Sequence, residues 1–291
     1  MQVRAPAKIN LTLRVLGKRA DGFHALESIF QMLTLADVLT LDSDDELIFT
    51  CSDPALENEQ NLVVRAARLL QPYNEIPRGA RIHLEKRIPT QAGLGGGSSD
   101  GAAALLALNE LWEIRRPLDE LAPLAEALGS DVPFFLYTPC AVVRGRGEDV
   151  TPLPHNNPCH VVLAKPAAGL STASMYTELR ARPYTPPRAP HPLPETQSMM
   201  RALKKGDTAA VANALASDLE GPALVQMPEL YHIRERMLQL GALGVLLCGS
   251  GSAVFGICPD AATAEHAALD LSNDCPWTAT AAFCTIRGTC P

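Results

Sequence analysis

The sequence has few aromatic residues, no excess of basic residues and no long apolar run. Aromatic residues make up 5% of the 291 positions, which leaves few rings on which nucleic-acid bases could stack. The formal net charge of −7 also disfavours a surface that binds phosphate backbones. A bilayer-spanning helix needs about 18 apolar residues in a row, and the nearest candidate, 241–258, is interrupted by glycine and serine. We therefore expect neither a nucleic-acid partner nor a membrane partner.

The cysteines carry no metal-binding pattern. All eight are scattered singly and none forms a Cys-x-x-Cys pair, so a zinc site is not expected. The first residues include Arg4 and Lys8 and lack the apolar core of a secretory signal. We therefore expect a cytoplasmic protein whose cysteines are buried free thiols. A length of 291 residues allows two domains.

Glycine is concentrated in one segment. Four glycines stand within the five positions 93–97, directly before Ser98 and Ser99. The alanines and leucines of 101–112 predict a helix after it, with Ser98 or Ser99 as its N-cap. A glycine loop at a helix N-terminus lets several backbone N–H groups converge on one anion, which favours phosphate. The alternative is a flexible loop without a ligand.

Two familiar phosphate-binding motifs do not fit this loop. The Walker A motif requires a Gly-Lys pair, and the loop has no lysine. A strand is predicted over 80–88, as a dinucleotide fingerprint would require. The four-residue spacer 89–92 and the three consecutive glycines nevertheless fit that fingerprint poorly.

The N-terminal segment alternates apolar and polar residues over 3–15, which predicts a strand with one buried and one polar face. Lys8 and Asn10 then point the same way, about 7 Å apart. A solvated strand face is the alternative explanation for both. The turn-rich segment 17–24 follows, and in it Phe23 and His24 could clamp a base, although Phe23 could also be a core anchor.

The remaining pattern predicts an α+β protein of two domains, 1–157 and 158–291. In the first domain, Gly129 ends a predicted helix at 118–128, and Asp131 after it is a candidate helix cap. Gly249-Ser250-Gly251 joins two predicted strands in the second domain, whose sheet we expect to be antiparallel with helices on one face. The other predicted strands are 26–35, 37–41, 47–51, 142–149, 161–164 and 279–287. The other predicted helices are 61–70, one capped by Ser171, 196–204, 207–219, 228–240 and 260–271, with a proline-rich excursion over 182–195.

Three separated features resemble the three motifs of the GHMP small-molecule kinases: the polar-faced strand with Lys8, the glycine-rich loop and Gly249-Ser250-Gly251. Within these kinases, four segments extend the resemblance over essentially the whole chain. They are Ala5-Pro6-Ala7-Lys8-Ile9-Asn10-Leu11, Arg19-Ala20-Asp21-Gly22-Phe23-His24, the loop 89–99 and Gly129-Ser130-Asp131-Val132-Pro133. The first two are typical of the members that act on a diphosphocytidyl alcohol. Two departures stand out: Thr90-Gln91-Ala92 replaces a stretch that often has more glycine, and Phe23 stands where tyrosine is frequent. The first could change loop flexibility, and the second keeps the ring but loses a hydroxyl.

The resemblance implies a two-domain GHMP kinase fold. A ribosomal-protein-like α/β domain at the N-terminus would hold ATP, and a ferredoxin-like antiparallel domain would follow it. The substrate would lie in the cleft between them, where ligand sites are common. We expect a monomer or a weak homodimer.

The resemblance also implies an activity, the transfer of the ATP γ-phosphoryl group to the 2-hydroxyl of 4-diphosphocytidyl-2-C-methyl-D-erythritol in the non-mevalonate isoprenoid pathway. Asp131 would be the catalytic base and Lys8 would stand beside it. Ser98 or Ser99 would help to hold Mg²⁺. The ATP-binding residues would be Pro89, Thr90, Gln91, Ala92, Gly93, Leu94, Gly95, Gly96, Gly97, Ser98 and Ser99.

For the substrate, the resemblance places cytidine between Phe23 and Tyr176, with His24 at the base edge and Asn10 near the substrate. Gly249-Ser250-Gly251 would support the wall of the site or would simply connect two strands. A kinase for homoserine, mevalonate or a sugar is the nearest rival, but those substrates have no base to stack on Phe23. An inactive nucleotide-binding regulator would be expected to lack Lys8 or Asp131, and both are present. A nucleic-acid-binding module is disfavoured by the acidic charge.

Overall fold

The computed structural model describes residues 1–74, 79–179, 181–186 and 192–285, and contains two β-sheets. The larger sheet has the strand order β3-β4-β2-β1-β8, and β5 pairs with β2 and with β6. Its strands are β1 (Gln2–Lys18), β2 (His24–Asp44), β3 (Leu47–Cys51), β4 (Gly79–Glu85), β5 (Cys140–Gly145), β6 (Asp149–Pro152) and β8 (Ala216–Ser217).

Four helices cover one face of this sheet and enclose the first core. They are α1 (Leu62–Leu70), α2 (Gly96–Leu111), α3 (Leu118–Leu128) and α4 (Phe134–Tyr137). The alanine-rich face of α2 lies at the centre of this core, together with Phe30 of β2 and Phe134 of α4. Close packing of these small side chains fixes where α2 begins, and therefore where the glycine loop before it lies.

The smaller sheet has four antiparallel strands in the order β11-β7-β10-β9. They are β7 (His160–Lys165), β9 (Gly244–Leu247), β10 (Val254–Cys258) and β11 (Trp277–Ala282). Within the described ranges, six helices accompany this sheet. They are α5 (Thr172–Glu178), α6 (Pro194–Lys205), α7 (Thr208–Asn213), α8 (Glu220–Gln226), α9 (Glu229–Gln239) and α10 (Ala261–Leu271).

Strand β7 shows how the two sheets are joined. Val161 and Leu163 pack in a core that also contains Ile9 and Leu11 of β1. Val162 and Ala164, on the opposite face, pack under α9 and α10. The predicted antiparallel sheet is confirmed. Helices do not cover one face only, however, because α6 and α7 contribute to the core on the β1 side.

The expected division at 157/158 falls between β6 and β7, in the connection between the two sheets. The short strand β8 belongs to the second half of the chain but pairs with β1 of the larger sheet. The position of the domain boundary therefore stays a prediction.

Several predicted boundaries are wrong. Strand β2 runs without a break through Ala36, where two strands were expected. The helix expected over 207–219 ends at Asn213, and β8 and α8 follow it. Helix α2 begins at Gly96 with Gly95 as its N-cap, so Ser98 and Ser99 lie inside its first turn. The last strand is Trp277–Ala282, and the predicted positions 286–287 lie outside the described residues.

The polar residues of β1 do not form a solvated face, so that alternative is not observed. Lys8, Asn10 and Thr12 are buried, with exposures of 4%, 2% and 0%. The pairing of β1 with β2 shifts register between Asn10 and Thr12, and such irregularities redirect side chains locally. Buried polar residues on a central strand need partners, so this face becomes a candidate for function.

Six cysteines are buried free thiols as expected: Cys51, Cys140, Cys159, Cys248, Cys258 and Cys275. Cys284 is an exception because it is disulfide-bonded. None of the helices in the described ranges combines the length and apolar character that a membrane crossing requires.

Candidate active site

A cleft of about 1090 Å³ brings together the residues predicted for catalysis and substrate binding. Its lining combines Lys8 and Asn10 of β1 with Asp131, which lies between α3 and α4. Tyr176 of α5 contributes from the second half of the chain. The other predicted residues in this lining are Phe23, His24, Gly249, Ser250 and Gly251. The cleft is therefore built from both halves of the chain.

Lys8 and Asp131 form an ion pair in this cleft. The Lys8 Nζ lies 3.5 Å from Asp131 Oδ2 and donates a hydrogen bond of 2.7 Å to Asn10 Oδ1. The ammonium also lies 4.6 Å from the centre of the Phe30 ring. Lys8 is buried, but the Asp131 side chain is 32% exposed. A hydroxyl group in the cleft would therefore meet a proton acceptor and a fixed cation together.

Asp131 does not cap the helix that follows it. Helix α4 has Pro133 at its N-cap and no side-chain cap, so the alternative role considered for Asp131 is not observed. The turn between β5 and β6 packs closely against this residue. A Cβ atom at Gly147 would lie 3.2 Å from Asp131 Oδ1 and 2.9 Å from the Ser130 carbonyl oxygen. The turn therefore packs against one side of the Asp131 carboxylate, which remains accessible from the cleft.

A second cavity, of about 350 Å³, lies on the glycine loop. Lys86, Asn61 and Leu62 contribute to its lining. The predicted ATP-binding residues in the lining are Pro89, Thr90, Gln91, Ala92, Gly93, Leu94, Gly95, Gly96, Gly97 and Ser98. Gln91, Gly93 and Gly95 also line the large cleft. The loop is therefore a common wall of the two cavities, so a phosphate chain lying along it could reach the Lys8–Asp131 pair.

Glycine is required at two positions of this loop. Gly93 and Gly95 adopt φ angles of 75° and 70°, in the left-handed region that glycine tolerates best. A Cβ atom at Gly93 would lie 1.7 Å from the Cys248 carbonyl oxygen, and one at Gly95 would lie 2.8 Å from Lys8 Cγ. Gln91, at the centre of the segment 90–92, also has a positive φ, of 53°.

The strand connection at 248–253 packs directly on the loop. The backbone N–H groups of Ser252 and Ala253 donate to the carbonyls of Gln91 and Ala92, at 3.3 and 3.2 Å. Gly249 approaches the Lys8–Asp131 pair, because a Cβ atom there would lie 3.4 Å from Lys8 Nζ. The two roles considered for this motif are therefore compatible, since it connects β9 to β10 and also forms part of the cleft wall.

A buried charge cluster holds both ends of the glycine loop, and sequence reasoning missed it. Lys86 Nζ lies 2.5 Å from Asp37 Oδ2 and 2.8 Å from Asp100 Oδ2. Asp37 Oδ1 accepts from the backbone N–H groups of Arg87 and Ile88, directly before the loop. Asp100 is in the first turns of α2, directly after it. Burial raises the pKa of the Asp100 carboxyl to about 8, although the Lys86 ammonium opposes this shift.

Aromatic rings meet at the other end of the cleft. His24 and Tyr176 are stacked, with ring centres 4.8 Å apart and an interplanar angle of 24°. Burial, together with the Lys18 charge, lowers the pKa of His24. Burial, and then the Asp131 carboxylate, raises the pKa of Tyr176 to about 12. A neutral imidazole and a neutral phenol therefore face the cleft at neutral pH, and both can exchange hydrogen bonds with a polar ligand.

Phe23 is half exposed at the rim of the cleft, which argues against the alternative of a core anchor. The Arg146 guanidinium lies 4.9 Å from the centre of its ring. Because the His24 and Tyr176 rings are stacked on each other, this arrangement leaves no space for a base between them. The clamp between Phe23 and Tyr176 stays a prediction.

Sequence reasoning missed Lys18 and Arg146, which also line the cleft. Arg146 stands between Gly145 and Gly147, whose φ angles are 71° and 133°. The Gly-Arg-Gly pattern indicated a tight turn, but only the pairing of β5 with β2 shows that this turn reaches the cleft.

Comparison with known proteins places the chain in a family. The model for the GHMP kinases N terminal domain matches residues 61–138, and the GHMP kinases C terminal model matches residues 199–276. The 4-diphosphocytidyl-2-C-methyl-D-erythritol kinase of Geobacillus sp. (strain WCH70) is 43% identical, and the match covers 88% of this chain and 87% of the relative. The enzyme of the same name from Shouchella clausii (strain KSM-K16) is 40% identical, with coverage of 99% and 96%.

Solved structures agree with this assignment. A crystal structure of 4-(cytidine 5'-diphospho)-2C-methyl-D-erythritol kinase is 38% identical, has a TM-score of 0.81, and is matched over 97% of this chain and 99% of its own. A homoserine kinase from Cytophaga hutchinsonii is 20% identical with a TM-score of 0.73 over 99% of this chain and 95% of its own, and so shows a shared fold only. The expected α+β, two-domain GHMP kinase fold is thereby confirmed. The chain belongs to the GHMP kinases and, within them, to the family of 4-diphosphocytidyl-2-C-methyl-D-erythritol kinases.

Proposed function

We propose that this protein transfers the γ-phosphoryl group of ATP to the 2-hydroxyl of 4-diphosphocytidyl-2-C-methyl-D-erythritol, in the non-mevalonate route to isoprenoid precursors. The observation that carries the proposal is the position of the Lys8–Asp131 pair. It lies between the glycine loop and the aromatic group of Phe23, His24 and Tyr176. Relatives at about 40% identity, named for this substrate, support the choice of acceptor.

The proposed chemistry needs one proton acceptor and one fixed cation. Asp131 accepts the proton of the substrate 2-hydroxyl group while the oxygen of that hydroxyl attacks the γ-phosphorus of ATP. The bond from that phosphorus to the β,γ-bridging oxygen breaks, and ADP leaves. Lys8 stabilises the negative charge that develops between the attacking oxygen and the transferring group. Positioning and charge stabilisation supply most of the catalysis in such reactions.

ATP is proposed to lie along the glycine loop, with its triphosphate at the N-terminus of α2. That end of the helix supplies free N–H groups and a positive dipole. Mg²⁺, when bound, would neutralise negative charge on the triphosphate, and Ser98 or Ser99 would help to hold it. Among the described residues, no group of three His, Cys, Asp or Glu side chains could hold a metal by itself, which fits an ion held chiefly by the nucleotide.

Of the two serines considered for this ion, we favour Ser98. Ser98 lines the loop cavity. The Ser99 hydroxyl is fully buried and has no hydrogen-bond partner in the described structure, so a ligand in the cavity cannot reach it as it stands. We expect Ser98→Ala to raise the KM for Mg-ATP and Ser99→Ala to leave it near the wild-type value.

The decisive experiment is ATP turnover against a panel of alcohols: the diphosphocytidyl compound, its simple phosphate analogue, mevalonate and homoserine. Activity confined to the diphosphocytidyl compound would support both the reaction and the cytidine clamp. Activity on another alcohol alone would keep the kinase chemistry and discard the proposed substrate. ATP binding without turnover of any of them would favour a regulatory role.

We further propose a cytoplasmic location and a monomeric or weakly dimeric state. The reaction consumes ATP, and the six buried free thiols are typical of a reducing compartment. Sedimentation velocity across a concentration series would test the oligomeric state.

A further inference from the structure

The buried polar face of β1 continues beyond the catalytic pair to a residue that has no assigned role. Lys8 Nζ donates to Asn10 Oδ1 at 2.7 Å, and Asn10 Nδ2 donates to Ser28 Oγ at 2.9 Å. Ser28 Oγ in turn donates to the backbone carbonyl of Thr12. Asn10 is 2% exposed, and Ser28 and Thr12 are fully buried. These groups form a continuous chain of hydrogen bonds from the strand backbone to the catalytic ammonium.

The chain begins at the register shift between β1 and β2. Asn10 is opposite Phe30, whereas Thr12 is opposite Ile29, so Leu11 is an extra residue in β1. The shift leaves the Thr12 carbonyl to accept from a side chain, and Ser28 supplies the donor. The Thr12 hydroxyl accepts from the Ile29 N–H at 3.1 Å on a separate branch that does not lead to Lys8. A buried carbonyl and a buried N–H are thus both satisfied at the bulge.

The direction of each hydrogen bond in this chain follows from which groups can donate and which can only accept. A carbonyl oxygen can only accept, so the single proton of Ser28 is committed to Thr12. Ser28 then has only lone pairs for Asn10, which must present its NH₂ group to Ser28. The amide oxygen of Asn10 therefore faces Lys8. With the amide reversed, an NH₂ group would face the ammonium, and two donors would be opposed in a buried site.

We propose that Ser28 is a positioning residue for phosphoryl transfer, which holds the amide of Asn10 in the one orientation that fixes the Lys8 ammonium beside Asp131. Ser28 does not line the cleft and acts only through Asn10. The inference rests on the proposed kinase function of this site. It adds to that function a specific requirement for a hydroxyl group at position 28.

The first test compares Ser28→Ala with Thr138→Val, which removes a buried hydroxyl that donates to the Cys140 carbonyl at 3.0 Å and does not line the cleft. Both variants lose one buried hydrogen bond, so both should lower the melting temperature, by about 2–4 °C. We expect Ser28→Ala to lower kcat about 10- to 100-fold, with the KM for ATP and for the alcohol changing less than about 3-fold. Thr138→Val should retain wild-type kcat. Equal losses of kcat in the two variants would overturn the proposal.

The second test is a double-mutant cycle with Asn10→Ala. If Ser28 acts only through Asn10, then Ser28→Ala should change kcat by less than about 2-fold in the Asn10→Ala background. If the fold-losses of kcat in the two single variants multiply in the double variant, Ser28 does not act through Asn10 and the proposal is overturned. Ser28→Cys, which keeps the size of the side chain but donates weakly, takes the place of Ser28→Ala if the alanine variant does not fold.

Turnover in both tests is measured with whichever alcohol of the panel the wild-type protein accepts. Failure of the proposed substrate then shows in the wild type alone, before any variant is compared. Failure of the Ser28 assignment shows as wild-type kcat in Ser28→Ala.

Discussion

At the scale of single residues, the geometry of Asp131 makes a direct prediction. Its carboxylate lies 3.5 Å from Lys8 Nζ and is accessible from the cleft. Asp131→Asn keeps the shape of the side chain and removes the proton acceptor. We expect kcat to fall by about 10²- to 10⁴-fold, the usual contribution of a general base, with ATP affinity by calorimetry within about 3-fold of wild type.

The matched control for this prediction is Asp45→Asn. Asp45 is an exposed carboxylate in the turn between β2 and β3, and its replacement should leave kcat unchanged. A turnover number in Asp131→Asn within tenfold of wild type would remove Asp131 from the role of base.

Phe23 gives a second prediction at this scale, on substrate binding. Its ring is 50% exposed at the rim of the cleft, so it contributes little to the stability of the fold. Stacking of a base on an aromatic ring contributes about 1–3 kcal/mol. Phe23→Ala should therefore raise the KM for the diphosphocytidyl substrate by about 5- to 150-fold, with little change in the KM for ATP. Phe23→Tyr should behave like wild type.

A surface ring of similar exposure serves as the control for Phe23. Tyr231 on α9 is 53% exposed and lies outside the lining of the cleft, and Tyr231→Ala should leave both KM values unchanged. Equal KM values for the diphosphocytidyl substrate in wild type and Phe23→Ala would discard the clamp.

At the scale of elements, the glycine loop depends on two backbone positions rather than on its glycine content. A Cβ atom at Gly93 would collide with the Cys248 carbonyl, and φ there is positive. Gly97, four residues later, lies in α2, and a Cβ atom there would meet nothing within 4 Å. Gly93→Ala should therefore separate the loop from the β9–β10 connection, lower the melting temperature by several degrees and raise the KM for ATP.

Gly97→Ala should have the opposite effect on the melting temperature. Alanine in a helix is more stable than glycine by up to about 1 kcal/mol, so without ligand this variant should melt at or above the wild-type temperature. Thermal unfolding of the two variants, followed by circular dichroism, tests the comparison. Equal melting temperatures for them would show that the close approach to Cys248 does not constrain the loop.

Elements with a clear local period could be predicted from the sequence, and those set by distant contacts could not. The alternation over 3–15 predicted β1, but the burial of Lys8 and Asn10 depends on β2, Gly249 and the loop, which pack over them. Two strands were predicted over 26–35 and 37–41, yet pairing with β1 on one side and β4 on the other keeps β2 continuous. Ser98 and Ser99 fit the pattern of an N-cap, but Gly95 takes that position.

The candidate site was likewise predictable only where its residues form local motifs. Motif resemblance predicted Lys8, Asp131 and the loop, because their residue types stand close together within short segments. Asp37, Lys86 and Asp100 come from three separate elements, and the cluster they form around one ammonium has no short-range signal. Ser28 is likewise an ordinary strand residue until the register of β1 and β2 is known.

At the scale of the whole molecule, the connection between the two sheets is anchored by a buried histidine. His155 Nε2 lies 2.6 Å from Gln31 Oε1 on β2, and His155 Nδ1 accepts from the Asn157 N–H at 3.1 Å. The NH₂ group of Gln31 donates to the carbonyls of Met32 and Cys284, so its oxygen faces the ring. Nε2 therefore carries the proton, and the neutral imidazole uses both of its nitrogens.

Protonation of this histidine should weaken the connection between the sheets. A second proton on Nδ1 would oppose the Asn157 N–H, and burial lowers the pKa of His155 in the folded state. An unfolded histidine titrates near pH 6.5, so below that pH the unfolded state binds more protons than the folded state. The contribution of His155 to the free energy of unfolding is therefore complete above about pH 6.5 and falls on acidification, by at most about 1.4 kcal/mol per pH unit.

His155→Gln isolates this contribution, because glutamine keeps a hydrogen-bonding side chain but does not titrate in this range. Denaturant unfolding of the wild type and the variant is compared from pH 7.5 to pH 5. Other groups titrate in both proteins and cancel in the difference, including His24, whose pKa is also lowered. We expect the wild type to be more stable at pH 7.5, by about 1–3 kcal/mol, and its advantage to shrink as the pH falls below about 6.5. A constant difference over the whole range would mean that the ring gains its proton equally in the folded and unfolded states, and the coupling between this connection and pH would then be absent.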